Sequence, residues 1–320
     1  MSRTRIPDDI LAAAHERSTA RQQGDWAEAD RLREKIETAG WRIVDRGTDF
    51  GLTPATPLDE DHGGVVVHGS SASVPSRLGD VSNEPATVVI ALDAETPLAV
   101  LVAHAKRLGP AATRDCGVVI VTSDTATSED ASLSGADIIR MRPNVGHAGR
   151  LNAGIRRAAG SIVILVGEAM QIDGDIVSPL VEALADPGIA AAGGWGSRTT
   201  DLREYTPVDG DADVLELACL AFRRGDAVRL GALDERLSTT RALGASWSLA
   251  LRFGSHEPDP SEVGPSRRVV VVPVPAARIP GPVAETSAAG EDTTRRAERR
   301  DFYRLRDAFG PAIAGTDPFR

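Results

Sequence analysis

A chain of 320 residues is long enough for one large α/β domain with additions, or for two domains. Its formal charge of −10 argues against broad nucleic-acid binding, which needs a cationic surface to neutralise phosphates. Cys116 and Cys219 lie far apart without metal-ligand spacing, so neither a disulfide framework nor a zinc site is indicated and a reducing, cytoplasmic setting is expected. The start has no apolar signal core, and no apolar run approaches the roughly 20 residues that span a bilayer.

In chain order, the pattern predicts a helix over 8–22, a break at Gly24 and a second helix that begins on an Asp25 cap with Glu28 placed for a capping box. Ala29, Leu32, Ile36 and Ala39 share one face of it, and Trp41-Arg-Ile-Val44 alternates like a strand, with another near Phe50-Gly-Leu52. The run Ala20-Arg21, Asp25-Trp26, Ala29-Asp30-Arg31-Leu32-Arg33, Gly40-Trp41 and Asp45 resembles the C-terminal tail of cysteinyl-tRNA synthetases. That resemblance implies a module from a tRNA-binding end, so an RNA- or protein-interaction role is one function to weigh. No synthetase catalytic motif accompanies it, and Arg31 and Arg33 read better as a solvated helix face.

Residues 54–85 are rich in Pro, Gly, Ser and Asp and read as a linker, with one apolar run at Val65-Val-Val67. Beyond them, buried-strand patterns at Thr87-Val-Val-Ile-Ala91, Gly117-Val-Val-Ile-Val121, Asp137-Ile-Ile-Arg-Met141 and Ser161-Ile-Val-Ile-Leu-Val166 alternate with helical patterns over 97–107 and 148–159. This predicts an α/β class domain, a mostly parallel sheet with helices on both faces, preceded by the small helical hairpin module. The expected divisions are 1–53, 54–85, 86–283 and 284–320. Ligands of such sheets sit beyond the carboxyl ends of the strands.

The segment Arg142-Pro-Asn-Val-Gly-His-Ala-Gly-Arg-Leu-Asn-Ala-Gly-Ile155, followed by Ala158-Ala-Gly160, resembles the pattern of family 2 glycosyltransferases. So do Cys219-Leu-Ala-Phe-Arg-Arg224 and Gly231-Ala-Leu-Asp-Glu-Arg236. The resemblance covers about half of the chain and implies an A-type nucleotide-sugar-binding fold with inverting sugar transfer from a nucleotide-sugar donor. Candidate nucleotide-sugar-binding residues are Asp93, Thr122, Asp124, Asn144, Gly146 and Asn152. Asn144 can bridge a turn that Gly146 tightens, and Asn152 offers an amide near the strand ends. Equally, both asparagines could only fix a loop, with Gly154 allowing close helix–sheet packing.

The acids of that family are missing where they matter. Metal-dependent members end the fourth strand in D-x-D, because a divalent ion must bridge protein and diphosphate. The corresponding run here is Gly167-Glu-Ala169, which leaves Glu168 as the single candidate catalytic carboxylate and no metal ligand set. The general base of the family falls in Ala245-Ser-Trp-Ser-Leu-Ala-Leu-Arg252, where Ser246 and Ser248 stand for acids. Asp173-Gly-Asp175 reads as a helix cap, Asp209-Gly-Asp-Ala-Asp213 as a structural turn, and His147 and His256 as surface or loop residues.

Two functions follow from the resemblance. One is a degenerate relative that binds a nucleotide or glycan without efficient transfer, and the other an active transferase with an altered, metal-independent site. A divalent metal is doubtful in both. At the C-terminal end, Phe302, Leu305 and Phe309 recur at helical spacing among arginines over 291–309. The helix they predict should pack its stripe on the α/β domain; peripheral contact with an anionic membrane is the weaker reading, because interspersed acids cut the charge.

Overall fold

The computed structural model describes residues 6–39, 41–46, 49–54, 57–82, 84–92, 116–123, 135–167, 170–258, 266–278 and 288–315. It divides into two compact units, Met1–Glu60 and Asp61–Arg320.

In the first unit, α1 (Asp8–Gln22) and α2 (Trp26–Thr38) form a hairpin beside the antiparallel pair β1 (Trp41–Arg46) and β2 (Asp49–Pro54). The Asp25 carboxylate accepts the Glu28 N–H as expected, but the box is not closed: the Glu28 carboxylate pairs with Arg31, and the Asp25 N–H donates to the Ala20 carbonyl. Ile10, Ala13, Ala14, Leu32, Ile36, Trp41 and Ile43 make a small shared core. Buried Arg17 and its neighbour Arg21 both pair with Asp45, tying α1 to β1. Arg31 and Arg33 are exposed and pair along their own helix with Glu28 and Glu37.

The second unit is built on one large sheet. After β3 (Glu60–Asp61) at the division come β4 (Val66–His68), β5 (Ala86–Ala91), β6 (Cys116–Thr122) and β7 (Asp137–Met141). Then α3 (His147–Arg157), β8 (Ile162–Val166), β9 (Met170–Ile172), α4 (Val177–Ala183), β10 (Ile189–Gly193) and β11 (Gly196–Arg198) follow. The rest comprises β12 (Thr206–Val208), β13 (Gly210–Ala212), β14 (Val214–Leu215), β15 (Cys219–Arg223), α5 (Arg224–Leu230), α6 (Thr240–Phe253), β16 (Arg268–Val271), β17 (Ala276–Arg278) and α7 (Ala288–Gly315).

Across the sheet the strands lie in the order β13, β16, β10, β15, β8, β5, β6, β7, β4. Strands β4 to β8 are mutually parallel, as are β10 and β16; β15 and β13 run against their neighbours. The expected mostly parallel sheet is present, with β8 near its middle. Within the stretch that reads as a linker, Val66–His68 has been recruited to the sheet as β4, because its short apolar run finds an open parallel edge on β7. The helix expected over 97–107 lies outside the described residues.

Alternation decides which face each side chain meets. Val89, Val121, Val163 and Leu165 pack beneath α3, α6 and α7; Val88, Ile90, Ile120, Ile164 and Val166 pack on the other face with Ile176, Val177 and Leu180 of the α4 region. Gly154 sits where an added Cβ would come within 2.3 Å of Val89 Cγ1, so the close approach of α3 to the sheet requires glycine. The stripe Leu305, Phe309 and Ile313 of α7 joins the same core. The carboxylate of Asp301, buried at 1% exposure, accepts the N–H groups of Ser238 and Thr239 at 2.9 Å each and so caps α6 from another helix.

Candidate functional site

Counting β5, β6, β7 and β8 as first to fourth, their order in space is third, second, first, fourth. The chain reverses its direction of progress across the sheet between β5 and β8, and in such sheets a ligand crevice is expected outside the carboxyl ends of these two strands. The expected position is beyond Leu92 and Gly167, with the ends of β6 and β7 on one side and the start of β15 and the end of β10 on the other.

On the β6/β7 side, Thr122 ends its strand fully buried, while Asn144 is exposed on the turn after β7. Gly146 precedes α3 with φ −63 and ψ 165, a conformation open to any residue, and a Cβ there would meet open space. The tight turn expected of Gly146 is therefore not what this backbone asks of it. Arg150, nearly fully buried, donates from Nη2 to Ser123 Oγ at 3.1 Å and to the Pro143 carbonyl at 3.0 Å, stitching the two strand ends together.

Asn152 works for the fold. Its Oδ1 accepts the Leu233 N–H at 2.8 Å, and its Nδ2 donates to the Leu233 carbonyl and to Glu235 Oε1 at 3.0 Å each. Both amide hydrogens are used, so the side chain pins the Gly231–Arg236 turn to α3. Glu235 Oε1 also accepts from Ser71 Oγ at 2.6 Å. Asp93, Asp124 and Glu168 lie outside the described residues.

The serines that stand for acids are also placed. Ser248 is buried; its Oγ accepts the Leu215 N–H and donates to the Gly244 carbonyl. Ser246 lines a cavity of about 850 Å³ with Asp234, Arg236, His256, Glu257, Arg304 and apolar residues of α7. His256 is half-buried there rather than on an open surface, its ring 5.8 Å from that of Trp247. Burial holds its pKa below the ordinary histidine value, outweighing the pull of Asp234 and of a hydrogen bond to the Leu230 backbone.

Acids elsewhere act structurally. Asp175 accepts the Val177 and Ser178 N–H groups, capping α4 as expected, and these bonds together with the Ser178 hydroxyl outweigh its burial to lower its pKa. Asp213 accepts from the Thr199 N–H and from Arg252.

On the other side of the crevice, Gly167 N–H donates to the Ala218 carbonyl at 3.0 Å, and β17 runs antiparallel to β9 with Arg278 opposite Met170. Arg278 donates from Nη2 to Glu216 Oε1 at 2.8 Å, and its guanidinium carbon lies 5.2 Å from the centre of the Trp195 ring. The Glu216 N–H in turn donates to the Trp195 carbonyl. Sequence patterns miss this group, because its three members lie on separate segments that only the strand register unites. The neighbouring Cys219 thiol is no nucleophile, since burial pushes its pKa up to about 12.

No protein-family model matches the chain. It is 42% identical over 50 residues to a cysteine–tRNA ligase of Opitutus terrae and 34% identical over 72 residues to cysteine–tRNA ligase 1 of Burkholderia lata. Those stretches are 16% and 22% of this chain but only 11% and 13% of the ligases. Among solved structures it is similar to GalNAc-T7 with UDP, GalNAc and Mn2+, at TM-score 0.47 and 13% identity, over 68% of this chain and 49% of that one. It is also similar to the mannosyltransferase PcManGT from Pyrobaculum calidifontis with GDP-Man and Mn2+, at TM-score 0.44 and 19% identity, over 76% of this chain and 68% of that one.

Proposed function

We propose that the second unit is a family 2 glycosyltransferase-like module that binds a nucleotide sugar, or the nucleotide or glycan part of one, without efficient sugar transfer. The observation that carries this reading is the reversal of strand order between β5 and β8, because a parallel sheet of this order takes a ligand beyond the carboxyl ends of such a strand pair. Thr122, Asn144 and Gly146, with Asp93 and Asp124, are the residues we assign to the nucleotide; Asn152, spent on the Leu233 turn, serves the fold. Glu168 is the one acid of its run, and the run that should supply the base holds Ser246 and Ser248, whose hydroxyls are too weak as bases to deprotonate an acceptor. Weak catalysis follows from both.

The test is a thermal-shift series against UDP-, GDP- and dTDP-sugars, followed by donor hydrolysis on each hit. A stabilising donor that is turned over slowly or not at all supports the reading. Rapid transfer to an acceptor would replace it with an active enzyme, and no stabilisation by any of them would remove it.

A further inference from the structure

We propose that Arg278 supplies the positive charge that the diphosphate of a bound nucleotide sugar requires, in the place where related folds use a divalent ion. The inference rests on the nucleotide reading above. Gly167 has no side chain to offer a metal, and Arg278 pairs in the backbone ladder with Met170, three residues beyond it. Hard cations need several oxygen ligands, and a fixed cation beside them opposes their binding. A diphosphate poses the reverse requirement, which a guanidinium meets with paired N–H groups.

The geometry prepares Arg278 for that task. Trp195 supports the guanidinium from one side, and Glu216 holds it through Nη2, one contact from a group with five N–H donors. The pair is about half exposed, with side-chain exposures of 49% and 43%, so as an ion pair it adds little to stability. The backbone ladder between β17 and β9 already holds the strand in place. The fold thus has small need of this arginine, yet leaves it half exposed on the strand that pairs with β9, the strand next in the chain after β8.

The experiment is calorimetric titration of the full chain, in EDTA, with UDP, GDP, dTDP, uridine and inorganic pyrophosphate. Wild type, Arg278→Ala, Arg278→Lys and Arg268→Ala are compared; Arg268 is an exposed arginine at the start of β16, and unchanged thermal midpoints confirm folding. Expected are diphosphate binding without metal, a loss of tenfold or more in Arg278→Ala, about threefold in Arg278→Lys, and no change in Arg268→Ala or in uridine binding. If Arg278→Ala binds diphosphates like wild type, or wild type binds them only with added Mn2+, the proposal is overturned while the nucleotide reading stands. If none of the nucleotides binds, the nucleotide reading itself fails, and the role of Arg278 falls with it.

Discussion

The two sides of the crevice spend their polar groups differently. At the ends of β6 and β7, Arg150 and Asn152 are buried and bonded inward, to Ser123 and Pro143 and to Leu233 and Glu235. At the end of β8, Arg278, Glu216 and Trp195 join three separate segments, but at about half exposure, where solvent screens the ion pair. A residue that matches a motif can therefore serve the fold, while half-exposed polar groups sit on segments with no motif at all.

The contrast is broken most forcefully at Asn152. Asn152→Leu leaves the Leu233 N–H and carbonyl without partners, and the expected loss is about 3 kcal/mol in urea unfolding, at about 1–3 kcal/mol for each buried group left unpaired. Nucleotide affinity of the folded protein should stay within about twofold; a large loss of affinity at wild-type stability would instead make Asn152 a ligand contact. Gly154→Val should cost about 1–3 kcal/mol by forcing α3 off the sheet at Val89, measured in the same way.

His256 gives a smaller, pH-dependent effect. Its folded pKa lies below its free value, so its contribution is fully present above about pH 6.5 and is lost as pH falls through the lowered value. Stability should fall by less than about 1 kcal/mol between pH 7 and 5, given the ring's partial exposure to solvent, and His256→Asn should flatten that part of the curve. Smallest of all is Arg278→Ala, expected to change stability by no more than about 0.5 kcal/mol, since the lost pair is half exposed. A larger loss would mean that this side of the crevice is as structural as the other.

Much of the fold is legible because local signals and burial agree. The bounds of α1, the Asp25 cap and the Val/Ile strands all come from patterns within a few residues. The antiparallel insertion of β15 between β8 and β10 is not legible, because an apolar run such as Cys219-Leu-Ala-Phe222 carries no mark of direction. The stripe of α7 is visible as periodicity, but Asp301, set among arginines, reads as a solvated charge until the fold buries it against the start of α6. Of the candidate site, the sequence marks Thr122 at the end of β6 and Asn144 and Gly146 on the turn after β7. It does not reveal that Asn152 is spent on the Leu233 turn, nor that Arg278 faces Met170 across a ladder more than 100 residues of chain away.

The account turns on which positive charge stands at the end of β8. Titrating Mn2+ into the wild-type protein with and without saturating UDP, and into Glu168→Gln, tests this most directly. The account predicts no tight manganese site in any of them, because Gly167-Glu-Ala169 offers one carboxylate and Arg278 lies opposite Met170. A micromolar site in wild type that disappears in Glu168→Gln would contradict it.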